Sequence, residues 1–178
     1  MDAGVWVLRI VLFILPAYFA NSIPVLLGGG APIDRGKKLA DGRRVLGNGK
    51  TVRGFFAGVL AGTAIGALEG LFLPGTALGI YAGSAFTYAI AGLLLGIGAM
   101  LGDLLGSFIK RRQGILQGRP SLVMDQLLFL LVALLLAYPL AAPLLTLQAV
   151  IFLLVLTYFV HAGANVLANR LGLKKVPW

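Results

Sequence analysis

Long uninterrupted apolar runs alternate with short stretches that hold nearly all the charge. Residues 5–27, 54–73 and 78–101 each carry about 20 or more consecutive, mostly apolar positions, the third with a polar extension to residue 109. About 20 such residues at about 1.5 Å each cross about 30 Å of hydrocarbon. The last apolar block, residues 121–167, is too long for one crossing, and Pro139 and Pro143 bracket an Ala-rich turn that divides it in two. Backbone inside hydrocarbon must satisfy its own hydrogen bonds, and runs this continuous are not barrel strands. The pattern predicts an all-α integral membrane protein, a bundle of five transmembrane helices forming a single polytopic domain over residues 1–178.

Composition agrees with the pattern and narrows the class. The 178 residues are 59% hydrophobic and 12% charged, whereas soluble domains carry about 25% charged residues. An ordinary soluble enzyme is excluded. Cysteine is absent, so disulfides, thiolate metal sites and a cysteine nucleophile are excluded as well. An acid, Asp2, stands where a cleavable signal would carry basic residues, so the first run reads as a retained helix.

Charge gives the run order a direction. Seven of the 15 Lys and Arg lie between Arg35 and Arg53, four between Lys110 and Arg119, and three in the tail at Arg170, Lys174 and Lys175. The connections around residues 73–81 and 138–148 have none. The positive-inside rule then places the amino terminus outside, and both basic loops and the carboxy terminus in the cytoplasm. Arg9, the exception, is close enough to the outer face to snorkel to headgroups.

Gly58, Gly62, Gly66 and Gly70 fall every fourth residue along the second run and permit close helix packing. The same stripe leaves a homodimer open.

Ionisable groups at a helix centre cost about 2.5 to 3.5 kcal/mol, so their positions mark wet cavities or partners. They gather at the cytoplasmic face. Asp103, Ser107 and Lys110 are spaced four and three apart and share one helix stripe. Asp125 opens the fourth run beside Gln126, and helices joined by a short loop are usually neighbours, so Asp125 is expected to approach Asp103. Two carboxylates amid Lys and Arg suit a Mg2+ ion shared with substrate phosphates, although each acid alone also suits neutralisation of a nearby Arg.

The first basic loop contains GNGKTVRG at 47–54. It is not a P-loop, because the glycine due five positions before Gly49 is Arg44 and no strand precedes it. Lys50, Thr51 and Arg53 nevertheless offer donors where the second helix begins and its dipole favours anions. Lys37, Lys38, Arg43 and Arg44 suit general attraction to anionic headgroups. Asn21 and Ser22 lie near the cytoplasmic end of the first run. His161 and Asn165, four apart, form a polar stripe on the fifth with Asn169. For His161, a general-base role competes with an interhelical hydrogen bond.

The segment GDLLGSFIKRRQGI at 102–115, followed by Asp125 and Gln126, resembles the carboxy-terminal catalytic region of the CDP-diacylglycerol synthases. The five-run length, the GNGKTVRG loop and Asp-Gln in place of Asp-Arg resemble the archaeal branch, the CDP-archaeol synthases. Leu122-Val123-Met124 stand where the bacterial signature has His-Gly-Gly. The resemblance implies a Mg2+-dependent cytidylyltransferase acting on CTP and 2,3-bis-(O-geranylgeranyl)glycerol 1-phosphate, in the cell membrane, with the site facing the cytoplasm. CTP, the isoprenoid glycerol phosphate lipid and the bilayer are the partners it implies, and nucleic acid is not one. It makes Asp103 and Asp125 the expected metal ligands and, with Lys110, the expected catalytic groups. Lys50, Arg53, Ser107, Arg111, Arg112 and Arg119 become the expected phosphate contacts, and Asn21, Thr51, Gln126, His161 and Asn165 complete the expected substrate surface. The rival reading is a small transporter or channel for an anionic solute. No clear inverted repeat supports it, and Glu69 is the one acid near the outer end of a run that could extend a polar path.

Overall fold

A computed structural model describes residues 2–117, 119, 121 and 127–173. The described chain is all-helical: α1 Ala3–Leu27, α2 Val52–Phe72, α3 Ala85–Arg112, α4 Leu128–Ala141 and α5 Leu147–Arg170. Four of these, α1, α2, α3 and α5, are long and apolar enough to cross a membrane. The fourth in sequence, α4, has 14 residues, about 21 Å of helix, which falls short of a full crossing. The chain is a multi-pass membrane protein whose described residues form four long helices and one shorter apolar helix.

Polar residues start the helices where sequence places them. Asp2 caps α1 by accepting from the Gly4 amide at 2.8 Å, and Thr51 caps α2 by accepting from the Gly54 amide at 3.1 Å. Thr146 caps α5 at the Ala149 amide.

Two boundaries differ from those the hydropathy predicts. The third helix begins at Ala85 rather than at residue 78, because the apolar stretch before it folds back into the bundle as irregular chain. Ile80 and Tyr81 are buried there, and both of their backbone amides donate to the Tyr88 hydroxyl, at 2.8 and 3.4 Å. Apolar content signals burial, not helix. Pro139 lies inside α4 instead of ending it, and the chain turns around Pro143, where the Leu144 and Leu145 amides both reach the Ala141 carbonyl.

Glycine sets how closely the helices approach. A Cβ on Gly66 would lie 2.5 Å from the Tyr88 carbonyl oxygen and 2.8 Å from the Gly92 Cα, so α2 and α3 meet backbone to backbone. Gly98 and Gly102 do the same between α3 and α4, where added Cβ atoms would stand 2.5 Å from the Cα atoms of Ala133 and Phe129. Gly58 faces Met100 and the Ala20 carbonyl of α1. The Gly58, Gly62, Gly66 and Gly70 stripe is therefore packed against neighbouring helices of the same chain. The core formed by these contacts draws Ile10, Phe13 and Ile14 of α1, Tyr88 and Leu95 of α3, Leu130 of α4 and Leu153 of α5 into one cluster.

Candidate active site

One cavity of about 490 Å3 opens where the carboxy end of α1, the start of α2, and the carboxy-terminal halves of α3 and α5 converge. Apolar side chains, Val25, Leu26, Phe55 and Met100 among them, form part of its wall, while Asn21, Lys50, Thr51, Asp103, Lys110, Arg119, His161 and Asn165 also line it. Eight of the residues expected from sequence thus meet around one space. Among the described lining residues three cations face one carboxylate, which gives the cavity a positive balance suited to polyphosphate.

Lys50 and Asp103 are the central pair. The Lys50 Nζ donates to both Asp103 carboxylate oxygens, at 2.7 and 2.6 Å. The side chains are 27% and 30% exposed, so the pair is half-wet and accessible from the cavity. Seven residues along α3 from Asp103, Lys110 is buried and lines the same space, as the predicted helix stripe requires. Ser107, between them, is buried but is not among the lining residues.

Across the cavity, the Asn21 amide donates to His161 Nε2 at 3.2 Å, joining α1 to α5. The His161 ring also packs edge to face on Phe129, with centroids 5.2 Å apart. The contact with Asn21 is the interhelical hydrogen bond that competes with the general-base role. One turn earlier the Tyr18 hydroxyl and Thr157 Oγ1 are 2.7 Å apart and tie the same two helices.

Besides Ser107, three of the expected phosphate contacts do not line the cavity. Arg53 turns away, its Nε donating to the Leu27 carbonyl at 2.7 Å and its Nη2 to the Gly28 carbonyl, which satisfies the exposed acceptors at the end of α1. Arg112 donates to both Asp41 oxygens at 2.7 Å and to the Arg43 and Arg44 carbonyls, and its guanidinium lies over the Phe108 ring. Arg111 is buried on α3 away from the lining. Local charge cannot distinguish a phosphate ligand from a cation that pairs within the protein, and Arg53, on backbone carbonyls, and Arg112, on Asp41 and loop carbonyls, are of the second kind in this conformation. Asp125 and Gln126 lie outside the described residues, as do Lys174 and Lys175.

Arg44, which sequence assigns to general headgroup attraction, turns inward onto Asp34 and Asn48. Arg43 donates to the Arg112 carbonyl at 2.6 Å. The loop that carries Lys50 is therefore anchored from within. Asp34 is 6% exposed, and the Arg44 guanidinium, assisted by the Gly47, Leu46 and Gly36 amides, holds its carboxyl well below the usual carboxylate range. Asp41 is also lowered, first by the Arg43 amide and then by Arg112. Gly47, at φ 106°, allows the chain to pass Gln117, whose Oε1 accepts from the Asn48 amide at 3.2 Å. In the sequence Asp34 counts only toward the charge of its loop, and Gln117 carries no assignment. An Asp followed two positions later by Gly inside a basic loop is a local turn signal that marks the first, while nothing in the sequence singles out the second.

The family model of the CarS-like CDP-archaeol synthases matches residues 5–178. The chain belongs to the CDP-archaeol synthase family. A CDP-archaeol synthase from Pyrococcus horikoshii is 51% identical over 166 residues, which cover 93% of this chain and 94% of the relative. One from Archaeoglobus fulgidus is 45% identical over 175 residues, covering 97% and 98%. Among solved structures, an intramembrane enzyme for archaeal membrane lipids biosynthesis is similar, with a TM-score of 0.75 and 37% identity, over 88% of this chain and 92% of the other.

Proposed function

We propose that residues 1–178 act as one membrane catalytic unit that transfers CMP from CTP to 2,3-bis-(O-geranylgeranyl)-sn-glycerol 1-phosphate, releasing pyrophosphate and forming the CDP-lipid. The observation that carries this reading is the half-wet Lys50–Asp103 pair at the centre of a cation-rich cavity, in a chain of the CDP-archaeol synthase family. The balance of Lys and Arg supports a cytoplasmic opening in the cell membrane. The cavity's apolar wall and its position at the helix ends suit a lipid whose chains stay in the bilayer while its phosphate enters.

A phosphate monoester with a second pKa of about 6 is largely dianionic near neutrality, so its oxygen is a competent nucleophile without a protein base. The bond formed joins a lipid phosphate oxygen to the α-phosphorus of CTP, and the bond broken is that between the α-phosphorus and the bridging oxygen to the β-phosphate. Catalysis then rests on alignment and charge neutralisation. Lys50, Lys110 and Arg119 supply positive charge to the triphosphate and the departing pyrophosphate. Asn21, Asn165 and Thr51 offer polar contacts around the reacting groups, and the apolar wall limits water.

A divalent cation fits the donor set. Asp103 presents hard oxygen donors to the cavity, and among the described residues no group of three or more His, Cys, Asp or Glu stands ready to enclose a metal alone. Mg2+ needs no such cage, since it takes one or two carboxylates and completes its shell with phosphates and water. Asp103, with Asp125, would hold it, and bound there it would offset phosphate charge as the transition state develops. The positive lining, Lys50 included, meets the remaining charge.

The transporter reading loses ground because the polar groups stay at one end. Glu69 is buried in α2 and does not line the cavity.

Purified protein in detergent, supplied with Mg2+, the geranylgeranyl lipid and in turn CTP, UTP, ATP or GTP, tests the proposal. Transfer into lipid with CTP, matched by pyrophosphate release and abolished by EDTA, is the expected result. Folded protein that transfers from no nucleotide, to this lipid or to a diacyl one, would overturn it.

A further inference from the structure

The 24 residues that join α1 to α2 contain no helix or strand, only two isolated backbone bridges, Pro32 to Thr51 and Lys38 to Arg44. Yet they deliver Lys50 to one place. Asp34 is the hub of that order: its Oδ2 accepts from the Leu46 and Gly47 amides, both at 2.9 Å, and from Arg44 Nε at 3.1 Å, while its Oδ1 takes Arg44 Nη2 and the Gly36 amide. Arg44 then passes the connection on, its Nη1 donating to Asn48 Oδ1 at 2.8 Å. Next to Asp34, the Ile33 amide donates to the Lys50 carbonyl at 2.8 Å. The segment 33–34 therefore grips the chain on both sides of Gly49: residues 46–48 through the carboxylate and Arg44, and Lys50 through the backbone.

We infer that Asp34 is a positioning residue for nucleotide use: through Arg44 and the backbone of residues 46–50 it holds the Lys50 ammonium in the cavity, poised over Asp103. This rests on the reading of Lys50 as a phosphate contact. The geometry separates the role from simple fold support. Among the described residues the partners of the Asp34 side chain all lie in the loop, three of the four within six residues before Lys50. A carboxylate suits this task because two oxygens together accept five donors, whereas the carboxamide of Asn keeps the shape but replaces one acceptor with a donor. Free of the hub, Lys50 would explore many rotamers, and the cost of ordering it would return at each nucleotide-binding event.

The test is a double-mutant cycle on the full chain, with Asp34→Asn, Lys50→Ala and the combination, reading KM for CTP, KM for the lipid, kcat and the thermal midpoint. Asp34→Asn is expected to raise the KM for CTP about tenfold, the factor of one charge-assisted hydrogen bond, with the lipid KM and the thermal midpoint near those of the parent. Lys50→Ala is expected to lower kcat/KM by about a hundredfold, and the double variant to be no worse than Lys50→Ala. An unchanged CTP KM in Asp34→Asn, or a double variant whose losses multiply in full, would overturn the inference. Lys50→Ala with full activity would instead sink the assignment of Lys50 to the phosphates. Arg44→Gln keeps the Asp34 bonds to the Leu46 and Gly47 amides and removes the guanidinium that pairs with Asp34 and relays to Asn48. It should raise the CTP KM in the same direction if Asp34→Asn fails to fold, and an unchanged value there counts against the relay.

Discussion

Lys50 and Asp103 are 53 positions apart in the chain, and their ion pair joins the two segments that carry the densest charge. Both partners are about a quarter exposed or more, and such pairs are worth about 0 to 1 kcal/mol, so the contact holds each group in place without locking it. In the proposed reaction a triphosphate that draws Lys50 away would therefore meet little resistance and would leave the Asp103 carboxylate able to hold a divalent cation. The consequence is testable at a single residue. Asp103→Asn keeps the size and removes the charge, and it should lower nucleotide transfer by at least about a hundredfold while the thermal midpoint in detergent moves little. Near-normal turnover in this variant would remove the carboxylate from the mechanism. At this scale the sequence was informative about which residues meet and poor at what each one does. The spacing of Asp103 and Lys110 was enough to put both on the cavity, because helix periodicity is rigid. Arg53 and Arg112 were beyond such reading, because Arg53 binds carbonyls at a helix end and Arg112 binds Asp41, 71 positions away, with two loop carbonyls, and no local residue code marks those partners.

Helix against helix, the protein is built on absent side chains. The α2–α3 seam places Gly62 and Gly66 against Gly92 and Gly96, and a stripe of small residues every fourth position announces this in the sequence. Two substitutions separate packing from propensity. Gly66→Ala puts a methyl group 2.5 Å from the Tyr88 carbonyl, an overlap that only backbone movement relieves, and should cost about 1 to 3 kcal/mol, read as a lowered thermal midpoint. Gly163→Ala, on the exposed face of α5 with nothing within 4 Å, gains helix propensity without a clash and should leave the midpoint equal or raised. Equal behaviour of the two variants would mean that the seam is looser than its geometry. The starts of α1 and α2 fall within two residues of the hydropathy boundaries because Asp2 and Thr51 cap them. The start of α3 does not, since Ile80 and Tyr81 enter the core as irregular chain whose amides rest on a tyrosine hydroxyl eight and seven residues ahead. That solution depends on tertiary contact and leaves no local trace.

For the molecule as a whole, direction in the membrane decides whether the cavity can work. CTP is a polyanion that does not cross hydrocarbon, so a cavity lined by Lys50, Lys110 and Arg119 must open to the compartment that holds the nucleotide. The α1–α2 connection carries six Lys and Arg, with Arg53 a seventh at the start of α2, and sits at the cavity end, whereas the α2–α3 connection, at the opposite end of α2, carries none. Charge and cavity therefore argue for the same side. Because the chain has no cysteine, single introduced thiols report orientation without background. Lys37→Cys and Ala77→Cys both replace exposed residues, one on each connection. A membrane-impermeant maleimide should label Lys37→Cys in inverted vesicles only and Ala77→Cys in right-side-out vesicles only. The reverse pattern would put the cavity outside and deprive it of CTP, and labelling of Lys37→Cys that CTP with Mg2+ leaves unchanged is compatible with the site, since Lys37 is not among the residues lining the cavity.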